Sequence, residues 1–239
     1  IVKLLIVIVL LSYLCDMERL RIQITIDPAL YTRDPETTEL GRKIVSKSIE
    51  MIDELGFEKF TFKKLGLAIN SNESSIYRYF ESKHALLVYL VSWYWSWIEY
   101  KIVFATTNVS DPSIKLLSCI ELLTKDVKED TSISYVNEVT LHRIIVAESS
   151  KAYHTKDIDK ENSKGYYKTY KRVVQRVSDF VTDIHPTYEY PHMLISTVIE
   201  GAHHQRYFSK HLPSLTNVCE GKNNITEFYK ELVLNAIKQ

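Results

Sequence analysis

The sequence predicts an all-α protein, and three observations carry that reading. Residues 61–83, TFKKLGLAINSNESSIYRYFESK, hold two short helical patterns separated by a polar turn of Asn70, Ser71 and Asn72. Tyr166, Tyr170, Val173, Val174, Val177, Phe180, Val181 and Ile184 recur at steps of three, four and one, the spacing that keeps one face of a helix apolar. No Gly-rich phosphate loop, internal repeat or low-complexity run breaks the succession of helices.

With 239 residues, 45% hydrophobic and 25% charged, the chain is long enough to bury a sizeable core as one or two domains. Lys plus Arg and Asp plus Glu number 30 each, so the whole molecule offers no bulk attraction to nucleic acid or to an anionic membrane. Cys15, Cys119 and Cys219 lie far apart without a CxxC pair. That argues against a disulfide framework or structural zinc and fits a reducing cytoplasm.

Taken in order, residues 1–34 read as a leader. Its unbroken apolar run, residues 4–11, is far short of the roughly 20 residues a membrane helix needs, so no stable membrane insertion is expected. Residues 1–16 are read as lying upstream of the true start, Met17, with a secretory signal and an internal strand as competing readings. Leu20, Ile22, Ile24 and Ile26 then alternate with polar residues as in a strand ending at Pro28. Arg19, Arg21 and Arg33 would permit a minor-groove arm, and a packed leader is the plainer alternative.

A first helix is expected over residues 35–55, with Val45, Ile49 and Ile52 inward and Gly56 ending it. Thr61 caps a second helix whose inner face is Phe62, Leu65 and Ile69. Asn72 caps a third, where Glu73 suits the first turn and Ile76 and Phe80 are the anchors. Ser82 caps a long helix through about residue 106, with Leu87, Leu90, Tyr94 and Ile98 on one face. After Pro112 come a helix carrying Leu117, Ile120, Leu123 and Val127, a less periodic pattern over residues 135–150, and the stripe of residues 166–184. Leu194, Ile195, Val198 and Ala202 mark the next, and Ile225, Tyr229, Leu232 and Ala236 the last.

The chemistry concentrates in the third helix. Ser74, Ser75, Arg78 and Tyr79 are expected to point away from the core, a face of small residues, hydroxyls and one guanidinium that fits a DNA groove. Ser74, Ser75 and Arg78 would reach base edges, while Thr61, Tyr77 and Lys83 would hold phosphate oxygens. Asn72 and Glu73 complete the candidate DNA-binding set, a carboxylate being able to accept from cytosine. Between residues 39 and 90, eight basic side chains face seven acidic ones, a net of +1. So few cations argue for a dimer, which doubles the phosphate contacts and reads a palindromic site twice.

Residues 61–86 resemble the DNA-binding signature of the TetR/AcrR family of bacterial regulators. The likeness lies in a Thr opening the second helix, a turn, a small-residue pair, and then Tyr77, Arg78, Tyr79, Phe80, Glu81, Ser82, Lys83 and Leu86. Gly66, Asn70, Ser71 and Asn72 stand where the family has Ala-x-x-x-Gly-Val-Ser, and Asn70 tolerates the left-handed backbone such a turn requires. The resemblance implies a three-helix DNA-binding head over residues 35–84 and a helical effector-binding and dimerisation domain over residues 85–239. By the same analogy the last two long helices, residues 192–209 and 225–238, would pack against their copies as a four-helix bundle, with Gly201 and Ala202 at the close approach. The function implied is a ligand-responsive repressor, a homodimer bound to a double-stranded operator and released by a small-molecule effector. Trp93, Trp97, Tyr166 and Tyr170 are the candidates for lining the effector pocket, and core packing is the competing reading.

His185, His192, His203, His204 and His211 form the one constellation open to a metal reading. Adjacent His203 and His204 point about 100 degrees apart on a helix and no HExxH accompanies them, so polar or interface histidines are expected, and no cofactor. No nucleophile motif or carboxylate pair marks an enzyme. The rival reading keeps the fold and loses the DNA: a helical interaction or small-molecule binding protein.

Overall fold

A computed structural model of the chain describes residues 24–128, 135–218 and 224–238. Met17, the apolar run before it, Arg19, Leu20, Arg21, Ile22, Cys15 and Cys219 lie outside the described residues. Among the described residues eleven helices follow one another: α1 Glu39–Leu55, α2 Phe62–Ala68, α3 Glu73–Tyr77, α4 Lys83–Thr106, α5 Pro112–Thr124, α6 Glu138–Glu148, α7 Ser150–Tyr153, α8 Ile158–Ser163, α9 Lys168–Ile184, α10 Pro191–His211 and α11 Asn224–Ala236. Short 3-10 turns at Pro28–Leu30, Pro35–Thr37 and Pro213–Leu215 complete the described chain, which contains no strand among those residues.

Local chemistry sets most of these boundaries. The 3-10 turn at Pro35 comes first and Thr38 then caps α1, its hydroxyl accepting the Gly41 N–H at 3.0 Å. Gly41 is required by packing, since a Cβ there would lie 2.3 Å from the Pro35 carbonyl oxygen. At the other end Gly56, with φ of 76°, ends α1 while its N–H bonds the Ile52 carbonyl at 2.9 Å. The strand expected to end at Pro28 is not seen in its described part: Ile24 and Ile26 are buried, but they pack on helices and have no strand partner.

Two stripes differ from expectation. Helix α4 is buried all around from Leu86 to Trp95, not on one face, because α5, α6, α7 and α9 pack against it from different sides. Helix α5 buries Leu116, Cys119, Ile120 and Leu123, leaving Leu117 half-exposed and Val127 beyond its end at Thr124. Asp111 and Pro112 start this helix, and its four helical neighbours then choose which face turns inward.

Gly201 allows a close approach within one chain. A Cβ on it would lie 2.0 Å from the Tyr229 hydroxyl oxygen, so the small residue seats α11 on α10, and Ala202 is likewise buried inside the protomer. Gly201→Ala is expected to destabilise by about 1–3 kcal/mol through overpacking. Thermal melts check it, with Gly201→Ala/Tyr229→Phe recovering part of the loss because the offending oxygen is gone.

Polar contacts fasten the N-terminal helices to the body. Arg143 of α6 holds Asp53 of α1 through Nη2 at 2.6 Å, and Glu148 accepts the Phe57 N–H at 3.0 Å. His84, in the first turn of α4, meets Glu161 of α8 at 2.8 Å.

Candidate nucleic-acid interface

Helices α2 and α3 meet across a turn that depends on two small-side-chain positions. Asn70 takes φ of 55°, the left-handed conformation that Asn tolerates. At Gly66 a Cβ would come within 2.8 Å of the Ser71 carbonyl oxygen. Ser71 closes the turn by donating its N–H to the Gly66 carbonyl at 2.8 Å.

The caps hold both helices in place. Thr61 accepts the Lys64 N–H at 3.2 Å, and Asn72 accepts the Ser75 N–H at 2.8 Å. The Ser74 and Ser75 hydroxyls also donate to the Asn72 carbonyl oxygen, at 2.8 and 2.7 Å. Their oxygen lone pairs and the Asn72 amide N–H groups remain to face a ligand. Glu73 is half-buried and accepts weakly from the Tyr77 hydroxyl at 3.5 Å.

Ile76 and Phe80 are fully buried and fix the roll of α3, so that Ser74, Tyr77 and Arg78 are exposed and Ser75 is half-exposed. The Tyr77 ring stands edge-on against Phe62 at 5.0 Å, which steadies its outward hydroxyl. Arg78 makes no ion pair among the described residues.

Two members of the sequence-derived set are placed differently. Tyr79 is only 2% exposed; its hydroxyl is 2.8 Å from that of Thr38, and its carbonyl accepts the Thr32 N–H at 2.8 Å. It lies three residues from Ile76, on the same side of the helical path, and the leader closes over it. Lys83 donates its ammonium to the carbonyls of Phe57, Glu58 and Phe60 at 3.0, 3.1 and 3.4 Å. It braces the loop before α2, so its donors are used within the chain. The leader also places Arg33 at this end of the head, its guanidinium 5.5 Å from the Tyr79 ring centre. Of the three leader arginines that the sequence offers for an arm, Arg33 is the one within the described residues.

The effector-pocket candidates do not converge. Trp93 and Trp97 are buried and four residues apart, hence on one face of α4, while Tyr170 of α9 stacks on Trp95, at 4.4 Å, on the opposite face. Tyr166 lies half-buried beside Lys164. The structure instead gathers Tyr94, Trp95, His142, Tyr153, Tyr170 and His203. His142 bonds the Tyr94 hydroxyl through Nδ1 at 2.9 Å, and its ring meets that of His203 at 5.9 Å. Burial is the largest cause that lowers both histidines, His203 to about 3 and His142 well below the ordinary value, with His203 and Arg206 adding to it at His142, and Arg206 and His204 at His203. His142 escaped the sequence reading because it sits in the least periodic pattern. Among the described residues no group of three His, Cys, Asp or Glu side chains could hold a metal ion, and no helix is long and apolar enough to cross a membrane.

A capped, outward-turned helix on a buttressed three-helix head, joined to an all-helical body, defines a helix-turn-helix DNA-binding transcriptional regulator. Residues 44–90 match the model of the bacterial regulatory proteins of the tetR family. Its fold is similar to that of a TetR-family transcriptional regulator from Bordetella parapertussis 12822, with TM-score 0.56 and 14% identity over 83% of this chain and 96% of that one. AibR, solved in complex with isovaleryl coenzyme A and operator DNA, gives TM-score 0.56 and 12% identity over 80% and 97%. The superantigen PfiT gives 0.54 and 15% over 85% and 97%. At these identities the likeness is one of fold. No curated protein sequence matches the chain.

Proposed function

We propose that the protein is a cytoplasmic, ligand-responsive repressor that binds a palindromic operator as a homodimer. The observation that carries this reading is the ridge of Ser74, Ser75, Tyr77 and Arg78, turned outward because Ile76 and Phe80 are locked inside. Ser74, Ser75 and Arg78 face base edges, with Asn72 and Glu73 beside them at the start of the helix. Tyr77 and Thr61 hold phosphates. AibR, of similar fold, is described with both a ligand and operator DNA, which supports the pairing of the two activities. A salt titration against DNA from the protein's own promoter tests it: affinity should fall steeply with salt, as counterion release demands, and a flat response overturns the reading.

The homodimer rests on the outer faces of α10 and α11. Met193, Tyr207 and Phe228 are exposed there, with Met193 66% and Phe228 54% accessible. Met193→Glu should convert the dimer to monomer in sedimentation and lower operator affinity with it. An unchanged sedimentation coefficient would remove α10 from the interface.

A second reading is favoured by one observation, the diversion of the Lys83 ammonium to three backbone carbonyls. In that reading the fold serves a protein or small-molecule partner without DNA. A partner held by apolar surface would bind with little salt dependence, and the same titration separates the two.

A further inference from the structure

The leader is tied to the end of the reading helix. The Thr32 N–H bonds the Tyr79 carbonyl at 2.8 Å, and the Thr38 and Tyr79 hydroxyls are 2.8 Å apart. Leu30 and Pro35 are buried on either side, so the residues between them cross the surface just beyond α3 on a fixed backbone. The acids of this crossing are engaged: the Asp34 carboxylate accepts the Glu36 N–H at 2.8 Å, and Glu36 is turned to the body, accepting from the Tyr135 hydroxyl at 2.6 Å.

Arg33 is what the crossing leaves outside. It is exposed and makes no ion pair or hydrogen bond among the described residues. Only the face of Tyr79 holds its guanidinium, at 5.5 Å, and at an exposed site such a contact is weak enough to be exchanged for a better one. Arg78, which meets base edges in the proposed reading, directly precedes Tyr79, so the two guanidiniums stand at the same end of α3. From Asn72 to Arg78 the helix with its caps spans about 10 Å, close to the roughly 12 Å width of a major groove. With the ridge seated in that groove, what lies beyond Arg78 sits at the sugar–phosphate wall, and across the wall is the minor groove. The neighbourhood supplies no general field, since Arg33, Arg42 and Lys43 balance Asp34, Glu36 and Glu39. One guanidinium can contribute there only where the potential of the nucleic acid is itself concentrated, which is the narrow minor groove of an A·T run.

We propose that Arg33 enters the minor groove beside each operator half-site and makes the protein prefer A·T flanks. This rests on the regulator reading and extends the recognised sequence past the bases that α3 meets. The guanidinium leaves Tyr79 for the groove floor, where A·T pairs present acceptors to its donors and a G·C pair adds an amine that opposes it.

Anisotropy titrations test this on the stretch of its own promoter that the protein protects from nuclease, with the base pairs just outside each half-site set to A·T, inosine·C or G·C. Inosine·C shares its major-groove face with G·C but lacks the minor-groove amine. Wild type should bind A·T and inosine·C flanks alike, and G·C flanks about fivefold or more weakly. Arg33→Ala should bind all three flanks equally, near the G·C level, with an unchanged melting temperature because the side chain is exposed. Arg33→Lys should keep the salt dependence and lose most of the flank preference, its ammonium being the more strongly hydrated. An equal loss on all three flanks in Arg33→Ala would make the residue a phosphate contact, and no loss would take it off the DNA. Either result overturns the proposal while the regulator reading stands, whereas a wild-type chain that binds no promoter duplex sinks both.

Discussion

Arg78→Ala is expected to weaken operator binding by about 1–3 kcal/mol at each half-site, since a guanidinium reading a base edge contributes on that scale. In the proposed dimer the contact is made twice, so the loss in affinity runs from about thirtyfold upward. The structure gives the reason for the size: Arg78 is exposed, makes no ion pair among the described residues, and projects from a helix whose roll is fixed by two buried anchors, Ile76 and Phe80. Nothing within the chain has to be broken before it meets DNA. Arg78→Lys separates charge from readout, because lysine keeps a phosphate attraction but lacks the planar fork. The lysine variant should restore the salt slope and leave the base preference relaxed. Equal affinity of wild type and Arg78→Ala for the promoter, measured by anisotropy at one salt concentration, would remove Arg78 from the reading face.

Acid is expected to loosen the body through His142 and His203. Both are buried and held neutral, with pKa values depressed below that of the unfolded chain, His203 to about 3. Above pH about 6.5 neither state takes up a proton and stability is insensitive to these residues. Below that value the unfolded chain binds protons that the folded chain refuses, so stability falls as pH falls, by about 1.4 kcal/mol per unit for each histidine. From pH 6.5 to 5 His203 should cost about 2 kcal/mol, and His142 adds to the loss in the same direction. Glu121 behaves differently: Lys230 and Lys125 hold its carboxyl down to about 2, so its contribution fades only below the ordinary carboxylate range. Urea denaturation at pH 7.5, 6.5 and 5 measures the loss. His203→Gln should remove about half of the slope, and an unchanged slope would assign the acid sensitivity to other groups.

How much of this was legible before any coordinates depended on the range of the forces involved. Caps and stops act over three or four residues, and Thr61, Asn72, Ser82 and Gly56 occur where their side chains or conformational freedom are used. The left-handed Asn70 and the anchors Ile76 and Phe80 were readable for the same reason. Tyr79 and Lys83 were not, because what surrounds them comes from residues 32, 38 and 57–60, distant in sequence. Of the three tryptophans, only Trp95 stacks on α9, a choice made by the direction from which Tyr170 approaches α4.

The sequence by itself determined the helical class, the turn between α2 and α3, and the outward place of Ser74, Tyr77 and Arg78, since period and capping are local properties of the chain. Only the tertiary structure decided that Gly201 receives Tyr229 of the same chain, that His142 and His203 share a buried interior, and that the leader lies against Tyr79 beyond the end of α3. Those outcomes depend on which helix faces arrive together in space, and burial acts on the assembled surface, not on any one segment.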